Sequence, residues 1–467
     1  MVYKSLICAG LSNNKGFLIM KIPVSPPDYQ EVIQSSGKDF IQYIGEIGPT
    51  DSKGHYLHWD KLRHLTPPDG FTSEQWWAGM KLTRMFNFKN LDFKCKNNSK
   101  CVFYLTDEIQ ERLHWLDKNA AGTITSSIPV TNTSMRKAYI IKSLIREAIS
   151  SSQMEGATTT RKVAKDMIRQ GRAPIGKSEQ MIFNNYHAMQ FIIEFKDEEL
   201  TSGIILELHK ILTEKTLDNK NKAGVFRTEE DKDIHVVDET TIRILHTPPD
   251  AKGLEARIKK ICAFANNGLS GNFIHPVLKA IVLHFMLAYE HPFVDGNGRT
   301  ARALFYWAMI NEGYWLAEFI SISQIIKRAP AKYGKAFLHT ETDGNDLTYF
   351  ILHQLEIIKK AIAEFHEYSG EKMEGIKSAQ NLLFGAKKLR KKLNIRQVAI
   401  LKHALSHPNY IYSINEYQNS YGIAYETARK DLMQMSDVFS FLKKLKDGRT
   451  YVFISPSDLK ERIESKK

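Results

Sequence analysis

Between two stretches of helical periodicity, Pro276 to Glu290 and Arg299 to Asn311, the chain reads His291-Pro-Phe-Val-Asp295-Gly296-Asn297-Gly298-Arg299-Thr-Ala-Arg302. Asp-Gly-Asn-Gly is turn chemistry, and between alternating apolar arms it would predict a hairpin. Both flanks instead repeat every three and four residues, so the segment predicts a helix-loop-helix. Two glycines in such a loop let backbone amides approach a ligand, and the second helix presents its positive end to it. Arg299 and Arg302, three residues apart in the first turn, share a face and add forked donors, which makes an anion site. Asp295 beside those donors suits Mg²⁺, which takes few carboxylates and the rest of its oxygens from phosphate and water. His291, with an ordinary pKa near ~6.5, is placed to take a proton from an incoming hydroxyl. Each residue alone also has a plain reading as turn or helix-end structure. Together they predict transfer from a nucleotide polyphosphate.

The segment lies inside a long helical run. From Ser134, the residues Tyr139, Ile140, Leu144, Ile145, Ala148 and Ile149 recur at helical spacing until Gly156 and Thr158-Thr159-Thr160 end the pattern. Further helices are predicted over Ser178 to Phe195, Thr201 to Leu217 and Leu347 to Phe365, and two β-branched arms from Ile234 to Leu245, flanking Asp238-Glu239, predict a hairpin. Upstream, irregularly spaced aromatics and the turn signal Pro67-Pro68-Asp69-Gly70 predict an α/β accessory region, with Met1 or Met20 as the start. Residues 369–380 predict a linker. Beyond it, helices over Ile395 to Ser406, Ser413 to Ser420 and Ala424 to Met435, then two apolar arms around Lys446-Asp447-Gly448-Arg449, follow the order of a winged helix. The expectation is a mainly α protein in three parts: an accessory region at 1–120, a helical core at 121–370 and a winged-helix-like domain at 381–467.

A chain of 467 residues with 43% hydrophobic content exceeds one ordinary core, which agrees with that division. No uncharged apolar run approaches roughly 18 residues, so a membrane span is excluded. The patch Ser5 to Leu11 is too short for a secretory leader and no small-residue cleavage site follows it; the expected location is cytoplasmic. Cys8, Cys95, Cys101 and Cys262 form no CxxC pairs, predicting neither a disulfide framework nor a zinc site; Cys95 and Cys101 read as packed or solvated thiols. The net charge of +13 is uneven. From Asn381 onward 17 Lys and Arg face 8 Asp and Glu, so most of the excess belongs to the C-terminal module. Tyr425, Thr427, Arg429, Lys430 and Gln434 on its third helix, with Lys443, Lys444, Lys446 and Arg449 on the wing, suit duplex DNA; a basic protein-docking domain is an equal reading.

Gly171-Arg-Ala-Pro-Ile-Gly176-Lys177-Ser178 spells the phosphate-loop pattern GxxxxGK(S/T). A working phosphate loop needs a buried strand before it, whereas Val163, Ala164, Met167 and Ile168 are spaced as one face of a charged helix. The segment therefore reads as a helix-ending glycine, a loop, and Ser178 capping the next helix.

The string from His291 to Arg302 resembles the Fic-family signature HPFx(D/E)GNGRxxR at every fixed position. The resemblance extends from about Ser134 to Phe365, and His58-Trp59-Asp60 through Trp76-Trp77 is similar to the N-terminal region of one Fic subgroup. It implies a mostly α-helical core that transfers AMP from ATP, with Mg²⁺, to a Ser, Thr or Tyr hydroxyl of a protein, the chain itself included. It further implies His291 as general base, Phe293 as core anchor and Asp295 as metal ligand. Gly296, Asn297 and Gly298 would form the anion hole for the α- and β-phosphates, with Arg299 on the distal phosphates and Arg302 on the γ-phosphate. The hairpin, with Ile234, His235, Val236 and Val237, would be the flap that aligns a target by main-chain pairing. Where family members often carry two adjacent tyrosines near adenine, this chain reads Lys332-Tyr333-Gly334, leaving Tyr333 to pack on the base. Ser151-Ser-Gln-Met-Glu155-Gly156 resembles the family's inhibitory pattern (S/T)xxxE(G/N), which implies that Glu155 pairs with Arg302 in place of the γ-phosphate. The same glutamate helps remove AMP from targets in some relatives, so de-AMPylation is a second enzymatic reading. A DNA-binding regulator with the core as sensor is a third. Family members often dimerise, which makes a homodimer an expectation with no interface located.

Overall fold

The computed structural model describes residues 21–37, 44–96, 99–121, 133–231, 234–238, 241–267, 273–382, 392–447 and 450–465. An N-terminal layer holds α1 (Tyr29–Ser35), α2 (Trp59–Leu62), α3 (Ser73–Phe86), the hairpin β1 (Lys89–Lys94) with β2 (Lys100–Phe103), and α4 (Asp107–Ala120). The central part continues through α5 (Thr133–Met154), α6 (Arg161–Gln170), α7 (Gly176–Glu194) and α8 (Ser202–Thr213). A second hairpin follows, β3 (Val236–Asp238) with β4 (Arg243–His246), then α9 (Leu254–Ala265), α10 (Pro276–Glu290) and α11 (Asn297–Asn311). It closes with α12 (Ile322–Ile326), α13 (Pro330–Thr342) and α14 (Thr348–Leu382). The C-terminal part is α15 (Ile395–Ser406), β5 (Ile411–Ser413), α16 (Ile414–Tyr421), α17 (Tyr425–Met433), β6 (Lys443–Asp447), β7 (Thr450–Ile454) and α18 (Leu459–Glu464), its strands ordered β5-β7-β6. Among the described residues no helix is long and apolar enough to cross a membrane.

The centre is the pair α10 and α11. Every residue from Val277 to Glu290 and from Asn297 to Ile310 is buried, the pattern of helices enclosed on all sides. Pro276 stands at the first turn of α10, where its missing N–H would have had no helical partner. Helices α5, α7 and α8 pack on α11, and α9 and α14 on α10. Helix α5 is pinned by one buried carboxylate: Glu147 accepts from the Tyr306 hydroxyl (2.8 Å), the Ser321 hydroxyl (2.8 Å), the Ser323 amide (3.2 Å) and the Ser323 hydroxyl. Four donors around one buried charge fix where the end of α5 arrives. The N-terminal layer is fastened similarly by Arg84, fully buried over the Tyr56 ring, which donates to Pro49 O (2.8 Å), Leu57 O (3.0 Å) and the Tyr349 hydroxyl (3.0 Å) on α14.

Several sequence expectations are corrected. Residues 369–380 are not an irregular linker: α14 runs through them to Leu382, because no helix breaker interrupts the segment beyond the tolerated Gly370 and Gly375. Ser178 is not a cap. Helix α7 starts at Gly176 after the N-cap Ile175, the Glu179 carboxylate accepts the Ile175 amide (2.7 Å), and the Ser178 hydroxyl meets Thr158. Gly171 does end α6 in the left-handed region, φ 66°, so the phosphate-loop string is a helix-loop-helix and not a strand-loop-helix. Cys95 and Cys101 are joined as a disulfide across the β1–β2 hairpin. Residues 1–20, Glu239 and the Gly448-Arg449 turn lie outside the described residues.

Candidate active site

The loop between α10 and α11 is closed by its own residues. Asn297 turns its side chain back to accept from the Phe293 amide (2.9 Å) and donate to the Phe293 carbonyl (2.8 Å). Its side chain is therefore consumed in shaping the loop, and the group it can offer an anion is the main-chain amide at the start of α11. Gly296, at φ 84°, occupies the left-handed N-cap position, and a Cβ there would meet Thr213 Cγ2 at 2.9 Å. Phe293 is fully buried and stacks on His209 with ring centroids 3.6 Å apart; burying such a ring is worth roughly 1.5–3 kcal/mol. His209 then ties two loops together. Its Nδ1 accepts the Gly224 amide (3.0 Å), so Nε2 carries the proton and donates to the Asp295 carbonyl (2.8 Å). Burial lowers its pKa to about 4, which agrees with that neutral tautomer.

His291 is the C-cap of α10 at φ 47°, an uncommon conformation for a non-glycine residue. Arg227 imposes it. The Arg227 amide donates to Pro292 O (2.8 Å), and its guanidinium donates to His291 O (2.9 Å), Glu290 O (3.2 Å) and Pro249 O. The imidazole Nδ1 faces the Ala288 carbonyl at 3.3 Å and must be the donor, leaving Nε2 with a free lone pair. Burial, reinforced by His246 and Arg227, lowers the pKa to about 3, so the ring is neutral at physiological pH and able to accept a proton.

The two arginines of α11 are 1% exposed. Arg299 donates to Leu212 O (3.0 Å) and stands 3.9 Å from Asp295 Oδ1, while its buried Nε has no hydrogen-bond partner among the described residues. Arg302 donates through Nε to the Ser151 hydroxyl (2.9 Å) and through Nη2 to Ser151 O (3.1 Å) and Glu155 Oε1 (2.8 Å); among the described residues its buried Nη1 has no acceptor in good hydrogen-bond geometry. Glu155 follows the last turn of α5, next to Gly156 at φ 95°. Its carboxylate lies directly over Gly298, where an added Cβ would collide with Glu155 Oε1. A carboxylate thus sits on the amide end of α11, in the place that helix end and guanidinium together prepare for an anion. Burial pushes the Glu155 carboxyl above its ordinary value against the pull of Arg302 and Arg299. Burial also works against the Arg302 charge, yet the contact with Glu155 holds its pKa above the ordinary value.

The remaining sequence candidates divide. Asp295 keeps its carboxylate at the rim, with Oδ1 accepting the Gly296 amide (2.7 Å). Among the described residues no group of three or more metal-type side chains exists, so a cation here would rest on one carboxylate and the ligand's own oxygens. Asp295 beside orphaned guanidinium nitrogens fits that mode of Mg²⁺ binding. Tyr333 departs from expectation: it is fully buried, hydrogen-bonded to His284 Nε2 (2.9 Å), and burial raises its pKa to about 12, so it supports the interior near Arg302 and is no open wall for a base. In the hairpin, Ile234 and His235 precede the strand and Val236 and Val237 lie in it, paired with His246 and Ile244 and buried. Outward edge positions come from β4, with Arg243 and Ile244 exposed. His246 at its end has an acceptor on each ring nitrogen, Glu341 Oε2 at 2.7 Å and Tyr289 O at 2.8 Å. Both nitrogens must therefore carry protons. Burial opposes that charge, but the Glu341 carboxylate raises the pKa.

Sequence reasoning missed His209, Arg227, His246 and Glu147, whose roles depend on partners 43 to 176 residues away. The one available signal was that His209 and Glu147 are polar residues within apolar helical patterns, His246 ends a β-like one, and Arg227 follows the apolar pair Val225-Phe226 in a loop. In the C-terminal part, Tyr425, Thr427, Arg429 and Lys430 are exposed on α17, but Gln434 accepts from Gln397 Nε2 (2.9 Å) and faces the module's interior.

Residues 199–309 match the Fic/DOC family model, a span that covers α8 to α11 and the loop just described. The chain is 29% identical over 198 residues to the protein adenylyltransferase Fic of Nematostella vectensis, covering 40% of this chain and 42% of that protein. It is 29% identical over 218 residues to the protein of the same name from Drosophila mojavensis, covering 46% and 40%. The chain thus spans about two-fifths of the length of the curated relatives it matches. A Fic family protein of known structure from Desulfovibrio desulfuricans G20 is 15% identical with a TM-score of 0.45, covering 75% of this chain and 97% of that one.

Proposed function

We propose that the chain is an adenylyltransferase that moves AMP from ATP to a Ser, Thr or Tyr hydroxyl of a protein, and that it is held inactive by Glu155. The observation that carries the reading is the loop from His291 to Arg302. It places a neutral imidazole with a free Nε2, an amide-lined helix end and two buried guanidiniums with unused N–H groups on one short segment. The family match over residues 199–309 and the names of the relatives support the same chemistry.

Main-chain amides from Gly296 to Gly298 receive the α- and β-phosphates, and Arg299 and Arg302 bind the outer ones. The target hydroxyl gives its proton to His291 Nε2 as its oxygen attacks the α-phosphorus. The bond from that phosphorus to the bridging oxygen breaks, and pyrophosphate leaves with the charge it gains. Asp295 would hold Mg²⁺, which when bound neutralises charge on the phosphates. The β3–β4 hairpin aligns the target by main-chain pairing along the exposed β4 edge. Arg227 holds His291 in its strained conformation so that Nε2 faces the substrate. With Glu155 on Arg302, the γ-phosphate is displaced and the α-phosphorus moves out of line; ångström misplacements of that kind cost about 10²-fold in rate.

The test mixes α-labelled ATP and Mg²⁺ with wild type, Glu155→Gly and Glu155→Gly/His291→Ala, with and without cell lysate. Label on protein with Glu155→Gly alone is expected. Equal labelling by all three overturns both the brake and the base. We read the C-terminal part as a winged helix, since its helices and strands follow that order, with α17 presenting Tyr425, Arg429 and Lys430 outward. Duplex DNA binding by the full chain that weakens steeply with salt, and falls in Arg429→Ala/Lys430→Ala, is the expected outcome; salt-insensitive or absent binding refutes the DNA assignment.

A further inference from the structure

Behind the proposed brake, on the far side of α5, lies a cleft of about 970 Å³ bounded by α5, α6, α14, α15 and α16. One wall is cationic. Arg161, Lys165 and Arg169 follow one another at intervals of four residues along α6, so they share a face that lines the cleft, and Arg146 of α5 joins them. Like charges at that spacing repel, and here the repulsion is poorly neutralised. Among the described residues, Arg146 and Lys165 make no hydrogen bond or ion pair; Arg146 lies over the Tyr368 ring at 4.7 Å. Two of the acids in the cleft are already engaged, Glu364 by Arg328 and Glu416 by the Tyr410 hydroxyl at 2.8 Å and more distantly by Arg169 at 3.7 Å. Glu367 and Glu371 of α14 also line the cleft, at its solvent-exposed rim. Burial lowers the pKa of both Arg146 and Lys165: Arg161 adds to the effect on Arg146 while Tyr368 and Glu364 oppose it, and Arg169 adds to the effect on Lys165 while Asp166 and Glu416 oppose it.

The opposite wall is aromatic. Tyr412 and Tyr417 face the cleft from the C-terminal part, with His403 between Tyr410 (ring centroids 4.7 Å) and Tyr412. A separate observation points inward as well: Tyr139 lines the cleft, is 8% exposed, and its buried hydroxyl has no hydrogen-bond partner among the described residues. Cations of which two make no direct ion pair, an orphaned hydroxyl and aromatic surfaces within one cavity of ligand size suit a small molecule that carries both an anion and a flat ring. We propose that this cleft binds a nucleotide, its phosphate against Arg146, Arg161, Lys165 and Arg169 and its base among the tyrosines and His403. The site lies outside the catalytic loop and does not rest on AMP transfer. It shares α5 with the brake: Ile149 on the cleft side is six residues from Glu155, about 9 Å along a helix.

The test uses the full chain and labelled AMP in equilibrium dialysis, with wild type, Arg146→Ala/Lys165→Ala and Arg299→Ala. AMP binding is expected in wild type and Arg299→Ala and at least tenfold weaker in the cleft variant, with adenosine or inorganic phosphate alone at least tenfold weaker than AMP in wild type. The melting temperature of the cleft variant without ligand, measured beside wild type, separates lost binding from lost folding, since the variant gives up only the contact of Arg146 with the Tyr368 ring. A mutation-free readout is amine labelling followed by mass spectrometry, in which AMP should shield Lys165 of wild type. Unchanged binding in the cleft variant, loss confined to Arg299→Ala, phosphate binding equal to AMP, or undiminished labelling of Lys165 each overturns the assignment. None of these readouts requires transfer, so they stand or fall separately from the catalytic reading.

Discussion

Glu155→Gly should make the protein less stable and more active at once, and the two magnitudes come from the same contact. The Glu155–Arg302 pair is buried, with side chains 6% and 1% exposed and 2.8 Å between Oε1 and Nη2. Removing one member of such a pair costs about 3–5 kcal/mol, because the other charge is left desolvated. Arg302 keeps its two contacts with Ser151, so the lower end, about 3 kcal/mol, is expected. The same pair must open before a γ-phosphate can reach Arg302, and about 3 kcal/mol corresponds to roughly a hundredfold at 1.4 kcal/mol per decade. ATP should then replace what the carboxylate supplied: at a hundred times its Kd a ligand adds about 2.7 kcal/mol. The assay is denaturant unfolding of wild type and Glu155→Gly with and without Mg-ATP, alongside labelling from α-labelled ATP. The variant is expected about 3 kcal/mol less stable without nucleotide, nearly restored with it, and labelling about a hundredfold faster. Equal stability without ATP, or ATP stabilising wild type as much as the variant, would falsify the reasoning that Glu155 occupies the phosphate site.

Glu147→Gln should loosen α5 from Tyr306, Ser321 and Ser323; hydrogen bonds to charged groups are worth about 1.5–3 kcal/mol each, so partial activation of transfer with a lower melting temperature is expected, and unchanged labelling would detach the anchor from the brake. His209, buried and neutral with a pKa lowered to about 4, binds fewer protons folded than unfolded, so its contribution is intact above pH 6.5 and lost as pH falls toward 4, up to about 3 kcal/mol. His209→Gln should flatten the stability profile between those values, and identical acid limbs would rule this out. His246 has the opposite sign, because its raised pKa makes its contribution present below pH 6.5 and lost as pH climbs past the folded value. The melting-temperature gap between wild type and His246→Gln should therefore narrow from pH 6 to pH 9, and a constant gap would refute the charged ring.

What the sequence disclosed and what it hid divide by the distance between partners. The loop from His291 to Arg302 was legible because its geometry is local. Asn297 closes on Phe293 four residues away, Gly296 needs its left-handed conformation for the start of α11, and Arg299 and Arg302 share a face by helical spacing alone. Pro276 at the first turn of α10 and the Asn394–Gln397 capping box of α15 are equally local, each complete within a single turn. Glu155 needed the complete loop beside it before a weak string acquired meaning, since its partner lies 147 residues on. Arg227, His209 and His246 carried at most the mark of a polar residue among apolar ones, because each acts on a main-chain carbonyl, a group every residue has, and nothing in a single sequence says whose carbonyl it will be. Tyr333 shows the converse error. Its position in the string suggested a surface for the base, but a phenol can also be spent inside, and His284, 49 residues earlier, took its hydroxyl. The same limit explains the 369–380 segment, where Ser, Gly and charged residues predict a loop by composition, yet a helix already propagating from Thr348 adds residues at little cost once nucleated. Chemistry held within a few residues is readable because the backbone enforces it. The support that makes such chemistry work is assembled across the fold, and there the sequence offers residue types without addresses.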